Sequence, residues 1–92
     1  MAAGKELSDE ELASIRRRCE AATPGSWKSY VEGRDHESGS SFIMVGSSAA
    51  RGADIELSGA TVADQDFIAH ARQDVPRLLD EVERLRAQLR RN

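Results

Sequence analysis

Ala63-Asp64-Gln65-Asp66-Phe67-Ile68-Ala69-His70-Ala71-Arg72-Gln73-Asp74-Val75-Pro76 runs straight into Arg77-Leu78-Leu79-Asp80-Glu81-Val82-Glu83-Arg84-Leu85-Arg86-Ala87-Gln88-Leu89. Apolar residues recur at Ile68, Ala71, Val75, Leu78, Val82, Leu85 and Leu89, alternately three and four positions apart. That repeat lets one helix lie along another. A chain of 92 residues can cover only part of such a seam. A second copy of the protein is the natural candidate for the rest, with Val75, Leu78, Val82, Leu85 and Leu89 as the expected oligomer interface.

Pro76 interrupts the stretch. A proline removes one backbone donor and clashes with the preceding turn, and Asp74-Val75-Pro76 has the make-up of a fresh first turn. The expectation is therefore two helices, 64–74 and 75–91, with a break or sharp kink between them and Asp64 or Asp66 capping the first. Phe67, Ile68 and Ala71 are expected to face the core.

Working back towards the N-terminus, Leu7-Ser8-Asp9-Glu10-Glu11-Leu12 is a helix start. Ser8 and Glu11 have the spacing of a capping box, and Leu7 can staple to Leu12. The helix, expected over 8–22, carries Leu12, Ile15, Cys19 and Ala22 on one face and ends at Thr23-Pro24-Gly25. From Trp27 the period changes to two, which predicts a strand over 27–32. Phe42-Ile43-Met44-Val45 lies in a second strand, 41–46, expected to be central. Alternation in Ala53-Asp54-Ile55-Glu56-Leu57 predicts a third strand, 53–57, after a small-residue loop at Ser47–Gly52. Together these make a single α+β domain: helix, three-stranded antiparallel meander, and two C-terminal helices kinked at Pro76.

Composition narrows the function classes. Hydrophobic residues make up 39%, charged residues 32%, and the net charge is −3, as in a soluble globular protein. The longest apolar run is four residues, far short of the ~20 a spanning helix needs, so no membrane partner is expected. Met1-Ala2-Ala3-Gly4-Lys5-Glu6 has no signal-peptide pattern, and the expected location is cytoplasmic. Val75 to Asn92 holds five arginines against three acids, a local +2 that leaves the remainder at −5. Arginines in a last helical turn complement the helix dipole, and a duplex binder would carry a stronger basic stripe, so no nucleic-acid polymer is expected as partner.

Two blocks, Ala21-Ala22-Thr23-Pro24-Gly25-Ser26-Trp27 and Phe67-Ile68-Ala69-His70-Ala71-Arg72-Gln73-Asp74-Val75-Pro76, resemble the small phage and actinobacterial proteins called Ea22-like. Ser26 stands where those proteins typically carry a second proline. The resemblance spans most of the chain. It implies no established activity, only a link to mobile elements or phage–host conflict.

Chemistry-bearing residues are sparse. His36 and His70 are the only histidines and Cys19 the only cysteine; no spacing matches a metal site, and neither an enzyme nor a cofactor is expected. Cys19, in the apolar stripe, is expected to be a small buried thiol. The segment Arg34-Asp35-His36-Glu37-Ser38-Gly39-Ser40-Ser41 gathers a guanidinium, an imidazole, hydroxyls and a glycine into one turn. Arginine pairs with phosphate, hydroxyls and free amides add donors, and Asp35 suits ribose hydroxyls. Arg34, Asp35, His36, Ser38, Ser40, Arg51 and Arg72 are thus the candidate ligand residues, against the alternative of a hydrophilic loop bonded to its own backbone. The functional expectation is a non-catalytic homo-oligomer holding a small anionic ligand, phosphorylated or nucleotide-like. A protein-interaction module working through the C-terminal helix is the alternative.

Overall fold

The computed structural model describes residues 6–46 and 51–91. The start of the N-terminal stretch and positions 47–50 of the Ser47–Gly52 loop lie outside them. Four elements follow in chain order: helix α1 (Asp9–Ala21), strand β1 (Trp27–Tyr30), strand β2 (Phe42–Val45) and helix α2 (Val62–Arg91).

α1 begins at the expected capping box. Ser8 Oγ accepts from the Glu11 N–H at 3.0 Å, and Glu11 Oε1 accepts from the Ser8 N–H at 2.8 Å. Ala-Thr-Pro-Gly then turns the chain. Gly25 takes φ 94°, and the Thr23 carbonyl accepts from both the Trp27 indole (3.1 Å) and Arg72 Nε (3.1 Å). This corner ties the end of α1 to the start of β1 and to the middle of α2.

The sheet has two strands among the described residues, not three. β1 and β2 pair antiparallel from Trp27↔Val45 to Tyr30↔Phe42. The segment expected as a third strand contributes one bridge, Ile43↔Ile55, with mutual N–H···O bonds of 2.8 and 2.9 Å. On one side the ladder goes out of step: the amide reaching the Val45 carbonyl comes from Gly52, one position earlier than the Ile55 register requires. Ile55 and Leu57 still pack inward, against a core of Ile43, Val45 and Ala69 flanked by Trp27. Alternation therefore placed the side chains correctly but not the backbone pairing.

The second correction is at Pro76. α2 is one helix of 30 residues with the proline inside it. It is capped by Thr61, not by Asp64 or Asp66 in the N-cap role: Thr61 Oγ1 accepts from the Asp64 N–H (3.0 Å), and Asp64 Oδ2 accepts from the Thr61 N–H (3.1 Å). Packing on both sides of the proline holds the helix in line. Ala69 is buried against the sheet, and Leu79 is buried on the side where α1 packs, as is Leu12 of α1. Both lie on one face of α2, so a break between them would separate two buried contacts to recover one backbone hydrogen bond.

That face differs from the one expected. Gln65, Ala69 and Leu79 are its buried residues, while Phe67 is 73% exposed and Ile68 38%. α1 runs antiparallel to the C-terminal half of α2, held by Arg16 to Asp80 and Glu83 (2.9 Å each) and by Arg86 donating to the Leu7 carbonyl (2.7 Å). No described helix is long and apolar enough to cross a membrane.

Candidate functional site

The loop between β1 and β2 is closed by its own side chains. Asp35 Oδ2 accepts from the Val31 N–H at 2.8 Å, Ser41 Oγ from the Glu32 N–H at 3.0 Å, and Glu32 Oε1 from the Gly39 N–H at 2.6 Å. Gly33 turns the chain at φ 83° and its N–H reaches the His36 carbonyl at 2.8 Å. A hydrophilic segment with short carboxylate and hydroxyl side chains folds this way because each one substitutes for a missing ladder partner.

Arg34 leaves the loop to meet α2. Its two terminal nitrogens donate to the two oxygens of Asp66 at 2.8 and 3.1 Å, and its Nε donates to Asp35 at 3.0 Å. The guanidinium is thus held by two carboxylates, a forked geometry that Lys could not reproduce. Arg34 holds the Asp66 carboxyl down to about 2, with Ser29 hydrogen bonding in support. Asp35 is held low by the same arginine and then by the Val31 amide.

His36 turns inward. Its ring lies 5.2 Å from that of Phe42 and 6.2 Å from that of Tyr30, which are themselves stacked at 5.5 Å. Nδ1 accepts from the Ser38 N–H (3.1 Å) and lies 2.6 Å from Ser38 Oγ, which places the ring proton on Nε2, a buried atom without a hydrogen-bond partner among the described residues. The imidazole thus closes the aromatic end of the hairpin. Ser40 is exposed, two residues before β2 begins.

The remaining candidates lie at the other end of β1. Arg72 donates to Thr23, and Arg51 pairs with Asp54 at 2.6 Å beside Gly52, whose Cα is packed towards Thr23. Arg34, Asp35, His36 and Ser38 are therefore brought together within one chain, while Arg51 and Arg72 are not joined to them. Each of the three arginines already has an acceptor.

Two residues that carry weight were missed from sequence. Gln65 Nε2 donates among Ser29 Oγ (2.9 Å), the Tyr30 carbonyl (3.1 Å) and the Phe42 carbonyl (3.2 Å). Gln73 Oε1 accepts from the Trp27 N–H (2.8 Å) and its Nε2 donates to the Trp27 carbonyl (3.2 Å). The two amides grip opposite ends of β1: Gln73 stands in for a neighbouring strand at Trp27, and Gln65 ties the far end of the hairpin at Tyr30 and Phe42 to α2. Their signal was the spacing Gln65, Ala69, Gln73: two amides flanking a small residue on one helical stripe.

The second surface is the apolar seam itself. Leu78 is 64% exposed, Leu85 45% and Leu89 73%, while Val75 and Val82 are half-buried. α1 covers the neighbouring stripe instead, taking Leu79 where the heptad reading selects Leu78. Towards the N-terminal end of the seam, Ile68, Ala71 and Val75 form the floor of a 280 Å³ groove walled by Ile15, Cys19 and Trp27. Cys19 is half-buried there, short of the full burial expected.

No protein family, curated protein or solved structure matches the chain.

Proposed function

We propose that this protein is a non-catalytic interaction module that associates with copies of itself through the apolar seam of α2. The observation that carries this reading is the exposure of Leu78, Leu85 and Leu89 in one continuous row. Monomeric proteins rarely leave such a row uncovered. The extent of the molecule supports it. The chain exposes 6920 Å², against about 5,300 Å² expected for a folded monomer of its mass. Its radius of gyration is 16.7 Å, against about 12 Å for a compact domain of this length.

Capture of a small phosphorylated ligand by the Arg34–Ser41 loop is the weaker reading. An anion would have to displace Asp66 and Asp35 from Arg34, exchanging two charge-assisted contacts for new ones.

Sedimentation equilibrium tests the first reading. The native chain should sediment as a dimer or higher oligomer at micromolar concentration. Replacing Leu78 and Leu85 with Glu should weaken association roughly a hundredfold, because each buried apolar anchor becomes a buried charge. A native chain that stays monomeric at hundreds of micromolar would remove the proposal.

A further inference from the structure

The two ends of the seam have opposite shapes. At Ile68, Ala71 and Val75 it is recessed, the floor of a groove whose walls are Ile15, Cys19 and Trp27. At Leu85 and Leu89 it is a ridge, with Leu89 73% exposed. In a two-fold dimer the same patch serves both subunits, so a groove at one end and a ridge at the other fit only when the helices run in opposite directions. A parallel pair would set ridge on ridge at one end and leave two grooves facing each other at the other.

Charge points the same way. Val62 to Pro76 carries three aspartates against one arginine, and Arg77 to Arg91 carries five arginines against three acids. With Leu78 of one chain facing Val82 of the other, antiparallel packing sets Asp74 of one helix opposite Arg86 of the other and opposes the two helix dipoles, which a parallel pair would align.

Resting on the self-association proposed above, we infer that a second copy docks antiparallel, with its Leu85 and Leu89 seated in the groove between α1 and α2. Helical spacing supports the register. With Leu78 of one chain facing Val82 of the other, Val75 faces Leu85 and Ala71 faces Leu89, so every seam position from 71 to 89 meets another seam position.

The groove contains the native thiol Cys19, which supplies the test. In the full chain bearing Leu89→Cys, mild oxidation should form a disulfide between Cys19 of one subunit and the thiol at position 89 of the other, identified as a mixed peptide pair by mass spectrometry. Along the same helix, position 89 lies about 25 Å from the part of α2 that floors the groove, so this bond can only form between subunits. Trp27, the single tryptophan, lies in the groove wall, and its emission should shift to the red when the native dimer is diluted below its dissociation constant.

Each alternative outcome is decisive. A dimer that links only 89 to 89 is parallel, and one that links neither pair has its groove empty; both overturn the arrangement while leaving self-association intact. A chain that sediments as a monomer removes the arrangement together with the reading beneath it. Leu89 is exposed, so folding of the variant is not at stake, and circular dichroism checks that it is retained.

Discussion

Arg34 and Asp66 show how a candidate binding residue becomes a fastener. The forked pair at 2.8 and 3.1 Å joins the β1–β2 loop to α2, and Ser29 and Gln65 extend the network to the sheet. Because the Asp66 carboxyl titrates at about 2 in the folded chain and near ~3.9 when unfolded, the unfolded state binds the proton first as pH falls. The pair's contribution is therefore present above about pH 4 and is lost as pH drops towards 2. Asp66→Asn should flatten the fall in urea-unfolding stability across that window and leave its shape above pH 5 unchanged; an unaltered acid profile would show the pair to be idle. The same variant frees one side of Arg34. If the loop binds phosphate, calorimetry with nucleotides should give tighter binding for Asp66→Asn than for the native chain, and Arg34→Ala should abolish it. Heat from neither would leave the loop a structural one.

At the level of elements, α2 overrides a strong local preference. A proline in a helix interior costs about 3 kcal/mol, yet α2 continues past Pro76 because Gln73 and Ala69 before it hold the sheet and Leu79 after it packs towards α1. Pro76→Ala should restore the missing hydrogen bond and raise unfolding stability by about 1–3 kcal/mol, measured by denaturant titration. A loss of stability would mean that the half-buried ring contributes more through packing than its lost donor costs. The missing third strand follows similar logic in reverse. Ile55 and Leu57 satisfy the core from a segment paired at a single bridge on the β2 side, while on the opposite edge of the sheet the Gln73 amide takes up the Trp27 N–H and carbonyl that another strand would otherwise have met.

Considered as a whole molecule, the protein is a long helix with a small core at one end and α1 strapped to the other. Among the described residues, six buried hydrophobic side chains make a slender core, so association should add to stability by mass action. Under the self-association proposed above, the thermal midpoint should rise by several degrees on going from one to one hundred micromolar, as followed by circular dichroism, and should be independent of concentration in the Leu78→Glu, Leu85→Glu variant.

Signals acting within a few residues were legible from the chain alone. The capping box at Ser8 and Glu11, the Thr23–Gly25 corner, the period-two hairpin strands and the apolar seam each depend on neighbours no more than four positions away. What depended on partners far along the chain was not legible. Whether Pro76 ends a helix, whether residues 53–57 form a ladder, whether Leu78 or Leu79 is buried, and whether Arg34 is left open to a ligand were decided by contacts tens of residues apart. Local chemistry proposes an element, but its boundaries and its buried face go to whichever arrangement satisfies the most apolar surface and backbone hydrogen bonds at once.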